Sequence, residues 1–478
     1  MLWQCLHGFT ALGVLCGVFY DLNFNNSFVP GARSLRSTLC VLGVLCGVLF
    51  SPLFPPGSIL PGLLNPDKIP PMKIRSITCF IDPFYPLDEQ KINAAGEFLQ
   101  LARPAFTEAG YDVQSTRLAT VPFPHLLHEH KSGELATLAQ QLEAAAATCG
   151  YAYVSLGPAL PGQLDSYAAI PDALAATQNT FFSGHLTTPE NKVSLPAIRQ
   201  CAQVIQQASR ISPDGFANLR FAALANVPAG SPFFPAAYHR GGHPAFAIAT
   251  QAADLAVTAF SQAVSLEQAR ANLVSAMEAH AQTMTSIAHQ VEKQSGVEFG
   301  GIDFSLAPFP SEELSLGTAL ERLGVPAFGL HGSVAAAAIL ADTMDQARFK
   351  RAGFSGLMLP VLEDATLARR VGEGSLGVME LLLYSAVCGT GLDTIPLPGD
   401  TSVDELSTVL LDLASLSLRL AKPLTARLMP IPGKKAGDPV EFDFAFFANS
   451  RVLPLHALPL ERFLAGEESF GLRKRSSK

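Results

Sequence analysis

The sequence lacks the short motifs by which several common enzyme classes are recognised. It contains no GxSxG, HExxH or P-loop pattern, and no two cysteines are spaced as CxxC or CxC. These absences exclude the standard templates of serine hydrolases, zinc proteases, nucleotide triphosphatases and dithiol oxidoreductases. Any chemistry that the chain carries must therefore be sought in its individual loops.

Charged residues are also few, and they are not concentrated anywhere. They make up 15% of the 478 positions, the formal net charge is −8, and the Lys and Arg residues are scattered. A nucleic-acid-binding protein needs a concentrated basic surface, so we expect no nucleic-acid partner. Apolar residues reach 48%, enough for a sizeable core.

Cysteine and tryptophan are sparse and unevenly placed. The single tryptophan is Trp3, and four of the eight cysteines precede Met72. Such sparse thiols after Met72 are typical of a reducing compartment. The composition therefore predicts a cytoplasmic location.

Long hydrophobic runs are absent as well. The heptamer LGVLCGV occurs identically at residues 12–18 and 42–48, inside apolar runs of 13 and 12 residues. A membrane-spanning helix needs about 20 such residues. We favour the interpretation that residues 1–71 are a hydrophobic leader and proline-rich linker arising from an over-extended gene start. The alternatives are a leader that inserts into or lies on a membrane, and an accessory segment packed on the body.

From Met72 onward, β-branched runs alternate with stretches of helical periodicity. This alternation predicts a parallel sheet of about ten strands covered by helices, as a β/α barrel or a large doubly wound sheet. We expect one domain, residues 72–478, with ligands bound at the carboxyl ends of the strands. The predicted strands are 74–80, 111–118, 151–156, 219–225, 245–249, 301–306, 354–362 and 425–430. The predicted helices are 87–110, 132–148, 195–209, 252–294 with a break near Ser265, 314–323, 333–351, 376–387 and 402–421.

The densest loop candidate is CGTGLDTIPLPGDTS, residues 388–402. Its glycines and prolines suit a rigid backbone that approaches a ligand closely. Asp400 or Thr401 is placed to cap the following helix, and a rigid connector with a capping residue is an equally good interpretation. The candidate site residues of this loop are Cys388, Gly389, Gly391, Asp393, Gly399, Asp400 and Thr401.

A second loop, residues 231–246, brings together Tyr238, His239 and His243 beside two glycines. Imidazoles in such a place could transfer protons or bind a metal, although most loop histidines are simply solvated. The run HLLHEH at residues 125–130 has spacings that do not place its imidazoles on one helix face. We therefore expect no metal site.

Two more stretches carry acidic candidates. Asp303 lies within an apolar run, where an ionised carboxylate is costly unless it is paired or binds a cation. Glu363 and Asp364 close another apolar run. They are expected to cap the next helix or to supply an acid/base pair.

Six stretches together resemble one protein family. They are MKIRSITCFIDP, EAGYDVQSTRLAT, PFFPAAYH, GGIDFSLAPFP, GLMLPVLED and CGTGLDTIPLPGDTS. The family is the uncharacterised domain of unknown function 711, which is related to the UPF0210 proteins. The resemblance runs from Met72 to about Arg473 and does not include the leader.

This resemblance implies a ten-stranded β/α barrel similar to that of the glycyl-radical enzymes of the pyruvate-formate-lyase type. Those enzymes carry a C-terminal R-V-x-G-Y loop, whose nearest match here is Arg351-Ala352-Gly353-Phe354. That match is too short and far from the C-terminus, and Gly353 is better explained as the cap of helix 333–351. We therefore expect no glycyl radical; Cys388 would act as a thiolate or in packing, and other cofactors stay open.

Taken together, the sequence predicts an enzyme-like barrel that binds a small anionic metabolite. The alternative is a non-catalytic metabolite sensor or regulatory protein on the same fold. The reaction and any homo-oligomeric state stay open, and a membrane partner is expected only if the leader is genuine. The catalytic candidates are Cys388, Asp393, His239 and Asp303. The ligand-binding candidates are Gly389, Gly391, Gly399, Asp400, Thr401, Tyr238, His243 and Glu363.

Overall fold

The computed structural model describes residues 72–127, 132–387 and 389–475, all within one compact unit, Pro66–Lys478. The leader with both LGVLCGV copies, His128, His130 and Cys388 lie outside the described residues. The predictions made for them therefore stay predictions. Among the helices of the described ranges, none has both the length and the apolar character needed to cross a membrane.

Strands and helices alternate along most of the chain. The strands are β1 (Lys73–Ile81), β2 (Asp112–Val113), β3 (Thr116–Pro122), β4 (Tyr153–Gly157), β5 (Thr180–His185), β6 (Lys192–Ser194), β7 (Phe221–Ala225), β8 (Ala245–Gln251), β9 (Glu298–Ala307), β10 (Gly391–Pro398), β11 (Leu424–Ile431), β12 (Pro439–Val440), β13 (Ser450–Arg451) and β14 (Ser469–Gly471). The α-helices are α1 (Glu89–Glu108), α2 (Phe123–Leu127), α3 (Leu135–Thr148), α4 (Asp165–Ala168), α5 (Ile170–Ala176), α6 (Leu195–Ala208), α7 (Ala253–Gln262), α8 (Leu266–Ser295), α9 (Leu316–Arg322), α10 (Ser333–Gln346), α11 (Ala365–Gly372), α12 (Val378–Ser385) and α13 (Val403–Leu420).

One ten-stranded sheet organises the described residues. Its order is β10-β11-β7-β5-β4-β3-β1-β8-β9, with β2 beside β1. The five strands from β7 to β1 are mutually parallel. The pairs β8–β9 and β10–β11 are each parallel internally, but they join the central strands in antiparallel fashion. The predicted all-parallel sheet is therefore corrected to a mixed sheet.

The two faces of this sheet are packed differently. Branched and aromatic residues such as Ile77, Leu118 and Phe246 point to one face, where they join the large core formed with the helices. The other face, which we call the inner face, carries small residues such as Ala119 and Ala247. Small side chains leave room above the sheet, and loops of the chain occupy part of this space.

The sequence predicted most of the long elements, and the shorter ones were largely missed. The helix break near Ser265 is confirmed, because the Ser265 side chain caps α8 by accepting from the amide of Gln268. Strand β5 was not predicted, and β10 was taken for a loop because it contains two prolines and a glycine. Proline has no N–H to donate, and it is tolerated in an edge strand such as β10 because no neighbouring strand on the open side needs that donor.

The predicted strand 354–362 does not form. Residues 351–360 instead run between β9 and β10 with isolated parallel bridges, from Arg351 to Ile302 and from Pro360 to Asp393. Helix α10 ends at Gln346 with Ala347 as its C-cap. Gly353 is therefore not a helix cap, which corrects its predicted role.

Asp364 holds two helix starts together. As the N-cap of α11 it accepts from the amides of Thr366 and Leu367, at 3.0 Å each. Its other oxygen accepts from Leu316 and Gly317 at the start of α9, at 2.7 and 3.1 Å. The predicted capping role of Asp364 is confirmed, and the carboxylate serves two helices rather than one.

We predict that Asp364→Ala destabilises the protein by about 3 kcal/mol, because it leaves four buried helix amides without an acceptor. The free energy of unfolding from urea titration measures this change. Asp400→Ala is the matched control, since Asp400 is exposed, and it should leave the unfolding midpoint unchanged. Equal midpoints for the two variants would contradict this account of Asp364.

Candidate functional site

A cavity of about 520 Å³ lies on the inner face of the sheet. Residues at the start of the central strands line it, among them Arg117 of β3, Tyr153 of β4 and Phe181 of β5. Strands β8 and β9 run the other way and contribute residues at or next to their C-terminal ends, Thr250 and Ala307. The cavity therefore meets the carboxyl ends of β8 and β9 and the amino ends of the central strands, and the prediction that ligands bind at carboxyl ends stays a prediction.

Arg75 reaches the cavity because β1 is irregular at that position. The register with β8 shifts between Ile74, which pairs with Thr250, and Ser76, which pairs with Ala249. Arg75 is the extra residue, and such a bulge re-aims a side chain. Its guanidinium donates to the Pro308 carbonyl at 3.1 Å and forms an ion pair with Glu363.

Arg427 and Asp393 meet at a second irregularity. Between Leu392 and Ile395 of β10 the register with β11 shifts, so that two residues face Arg427. Thr394 takes a φ of +46°, a left-handed conformation that β-branched residues rarely adopt. The resulting geometry lets Arg427 Nε donate to Asp393 Oδ1 at 2.5 Å.

Glu363 joins the two arginines into one buried cluster. Arg427 donates to Glu363 Oε1 at 2.8 Å, and Arg75 is paired with the other carboxylate oxygen. Burial alone would raise the pKa of Glu363, but the charges of Arg75 and Arg427 outweigh it and hold that pKa below its usual value. Burial likewise opposes the charge of Arg427, yet Asp393 and Glu363 raise its pKa.

Asp393 is the less well satisfied carboxylate of this cluster. It is fully buried, and its Oδ2 has no hydrogen-bond partner among the described residues. Burial raises the pKa of Asp393, Arg427 opposes the shift, and the nearby charge of Glu363 adds to it. Because Arg427 is shared by both carboxylates, it cannot stabilise both ionised forms equally, and it favours ionised Glu363 more than ionised Asp393.

Arg117 differs from Arg75 and Arg427 because no described carboxylate pairs with it. Its Nε donates to Ser115 Oγ at 3.0 Å, and its two terminal nitrogens have no partner in the described part of the chain. Burial and the like charge of Arg75 lower the pKa of Arg117 to about 9, with partial relief from Tyr153 and Glu363. The guanidinium is still charged at neutral pH, and an added anion would stabilise it.

Asp303 lies in a different environment on the cavity wall. Its Oδ1 accepts from Ser305 Oγ at 2.5 Å and from the Ser355 amide at 2.9 Å, and Oδ2 accepts from the Phe354 amide at 3.0 Å. Burial raises the pKa of Asp303 although these donors oppose the shift. Gly353, with φ +60°, packs against this carboxylate where a Cβ would collide with it.

One loop occupies the inner face beside the cavity. This inner loop (residues 230–239) is closed at its base by the bond from the Gly230 amide to the Tyr238 carbonyl, at 2.9 Å. Ser155 Oγ donates to the Ala237 carbonyl at 2.8 Å and fixes the loop to β4. The tip residues Pro232, Phe233 and Phe234 line the cavity.

Three predicted residues meet at or beside the cavity. Asp303 and Glu363 line it, and Asp393 is bonded to Arg427, which lines it. They come from β9, from the segment before α11 and from β10, which are far apart in sequence. Whether they act in catalysis or binding stays a prediction.

The predicted residues of the inner loop lie elsewhere. His239 is buried, stacks on Phe80 with 6.5 Å between ring centroids, and is held through its amide by the Thr120 carbonyl. Tyr238 donates to the Val227 carbonyl at 2.9 Å, and His243 is exposed. These side chains are not among those that line the cavity.

The predicted residues around β10 also lie apart from the cavity. Gly389, Gly391 and Gly399 pack closely against the backbone of neighbouring segments. The N-cap of α13 is Ser402, in a capping box with Glu405, and not Asp400 or Thr401 as predicted. Asp400 is exposed, and Thr401 is buried and donates to the Pro398 carbonyl.

The sequence reasoning missed the arginines and the phenylalanines. Arg75 in KIRSIT and Arg427 in TARLM each interrupt an apolar strand, which is the same signal that singled out Asp303. A buried arginine in a strand must be paired or bind an anion. The described ranges contain no group of His, Cys, Asp and Glu able to hold a metal ion.

We predict that Glu363→Gln lowers the free energy of unfolding by about 3 kcal/mol, because two buried guanidiniums lose their shared carboxylate. Urea titration at neutral pH measures this loss. Glu313→Gln, at an exposed position, is the control and should behave as wild type. A Glu363→Gln variant as stable as this control would show that the cluster contributes nothing.

A pH-dependent stability is expected from His185 at the end of β5. Burial lowers the pKa of His185 to about 4, and its ring packs edge-on against Tyr238 at 5.6 Å. Because the unfolded chain takes up the proton first, the contribution of His185 to stability is lost as pH falls from about 6.5 to about 4. His185→Phe should therefore lose about 2 kcal/mol less than wild type between about pH 7 and about pH 5. Urea titrations at the two pH values check this, and exposed His243→Phe should keep the wild-type dependence.

Comparisons with known proteins show which family the chain resembles. Residues 68–448 match the family model described as "Uncharacterised ACR (DUF711)". A UPF0210 protein of Desulforudis audaxviator is 30% identical over 364 residues, covering 73% of this chain and 80% of the relative. A UPF0210 protein of Methanosarcina acetivorans is 29% identical over 395 residues, covering 79% of this chain and 84% of the relative. The chain therefore belongs to the DUF711 family, as the sequence resemblance implied.

Proposed function

We propose that the cavity binds a small anionic metabolite and that Arg117 is its principal anchor. The observation that carries this proposal is the pair of terminal nitrogens of Arg117, which have no hydrogen-bond partner among the described residues. A guanidinium offers up to five N–H donors in a planar fork that matches a carboxylate or phosphate. An anion in the cavity would satisfy both the charge and the unused donors.

The charge balance of the cavity supports the same function. Four arginines line it, at positions 75, 117, 220 and 427, against the carboxylates of Asp303 and Glu363. Asp393, bonded to Arg427, adds a third carboxylate. Arg75 and Arg427 are paired with these carboxylates, and the charge of Glu143 acts on Arg220. Arg117 has no bonded carboxylate among the described residues, which favours an anion over a cation or a neutral ligand.

The size of the cavity agrees with a metabolite. Its volume of about 520 Å³ lies within the range of about 300–1,000 Å³ common for small-molecule sites. We further propose that residues 351–360, which bridge to both β9 and β10, complete the sheet into a barrel-like ring similar to that of the pyruvate-formate-lyase type.

An enzyme is favoured over a sensor by Asp303. Its carboxyl group lines the cavity, and burial raises its pKa towards the range useful for proton transfer. A sensor on the same fold is the second candidate, because the paired cluster of Arg427 could serve binding alone. Asp303→Asn should keep anion affinity under either function, whereas it should abolish turnover only in an enzyme.

We predict that Arg117→Met weakens binding of benzoate to the full chain at least about tenfold, since a charge-assisted hydrogen bond is lost. Isothermal titration calorimetry measures the affinity. Arg117→Lys, which keeps the charge but not the fork, should bind with intermediate affinity. Arg210→Met, at an exposed position, is the matched control and should bind as wild type does. If Arg117→Met binds carboxylates and inorganic phosphate as tightly as wild type, the proposed anchor is wrong.

A further inference from the structure

We propose that the ligand is a planar aromatic carboxylate, which rests on the proposed anion-binding function and specifies its substrate class. The cavity combines two features that such a molecule needs. One is the unpaired fork of Arg117 described above. The other is a wall of aromatic rings drawn from separate parts of the chain.

The aromatic wall has contributions from four regions. Phe181 belongs to β5, Phe216 precedes β7, Phe233 and Phe234 form the tip of the inner loop, and Phe444 and Phe446 follow β12. The rings contact one another edge-on or tilted, with centroids 5.3 Å apart for Phe181 and Phe234 and 5.3 Å for Phe444 and Phe446. A ligand ring could pack against this wall in the same edge-on or tilted manner.

Three of the arginines that line the cavity each lie against one of these rings. The guanidinium carbon lies 5.0 Å from the Phe234 centroid for Arg117, 5.5 Å from Phe446 for Arg75 and 5.6 Å from Phe233 for Arg427. A guanidinium whose face is covered by a ring still offers its N–H edge to a ligand. A carboxylate on that edge would place an attached ring among the phenylalanines.

A carboxylate fits this cavity better than a phosphate. Phosphate sites are commonly built from glycine-rich loops and helix N-termini, and the described lining residues include no glycine and no first turn of an α-helix. Arg117 is a single guanidinium without a bonded carboxylate among the described residues, so a monoanion matches its charge and a phosphate dianion exceeds it.

The segment after β12 covers the aromatic end of the cavity. This strap (residues 441–448) alternates between partly buried phenylalanines, such as Phe444 and Phe446, and exposed Glu441 and Asp443. It is tied to the body by the bond from the Ala448 amide to the Leu362 carbonyl, at 2.7 Å. An aromatic ligand would contact the phenylalanines of the strap on one side and the tip of the inner loop on the other.

The test compares three carboxylates of equal charge with inorganic phosphate. The full chain is titrated with 2-naphthoate, benzoate, cyclohexanecarboxylate and inorganic phosphate by calorimetry. We expect 2-naphthoate to bind about tenfold more tightly than cyclohexanecarboxylate, with phosphate weakest, because only the aromatic acids gain contacts between rings. Phe446→Leu should weaken 2-naphthoate several-fold and leave cyclohexanecarboxylate unchanged. Phe463→Leu, at an exposed position, is the matched control and should change neither affinity.

The outcomes separate this inference from the function on which it rests. Cyclohexanecarboxylate or phosphate binding as tightly as 2-naphthoate would overturn the aromatic class and leave the anion site standing. Binding of none of the four anions would overturn both. If Phe446→Leu fails to fold, the same titrations are made with Phe234→Leu in the inner loop and Phe444→Leu in the strap. A lost preference for 2-naphthoate over cyclohexanecarboxylate in either variant supports the inference. Unchanged preference in every folded variant overturns it.

Discussion

The ion cluster around Arg427 is the interaction on which the rest of the site depends. Its guanidinium is nearly inaccessible to solvent, and it is held by Asp393 and Glu363. Removing such a charge from water is costly, and only well-placed partners offset this cost. The cluster joins β11, β10 and the segment before α11 directly, and it joins β1 through Arg75. Four separate parts of the chain must be in place together before it can form.

The charged cluster forms where two strands depart from regular geometry. Arg75 is the extra residue of a bulge in β1, and Asp393 meets Arg427 where two residues of β10 face one of β11. A regular strand alternates its side chains between the faces, so a one-residue shift transfers a side chain from one face to the other. The bulges therefore place charge on an inner face that is otherwise lined by small and aromatic residues.

Arg117 differs from the two arginines of the cluster in how its charge is used. Arg75 and Arg427 use their charge to hold the structure together, whereas Arg117 contacts a serine hydroxyl and aromatic rings. A half-buried cation such as Arg117, without a bonded carboxylate, carries a desolvation cost that a ligand of opposite charge would offset. The folded chain therefore tolerates this cost at a position that lines a cavity, as functional sites commonly do.

The order of elements and the family could be predicted from the sequence, because periodicity and motif residues are local properties of the chain. Two examples are the start of helix α8 at its Ser265 cap and the energetic cost of burying the Asp303 carboxylate, which were both visible in the local sequence. Strand β10 was missed because its prolines suit a loop as well as a sheet edge. The site itself was decided by tertiary structure: register shifts select which side chains share a face, and register is set by contacts between distant strands. The sequence alone therefore determined that charged residues would lie inside apolar strands. Only the folded sheet decided that Arg75 and Arg427 would pair with Glu363 and Asp393, while Arg117 beside them has no carboxylate partner among the described residues.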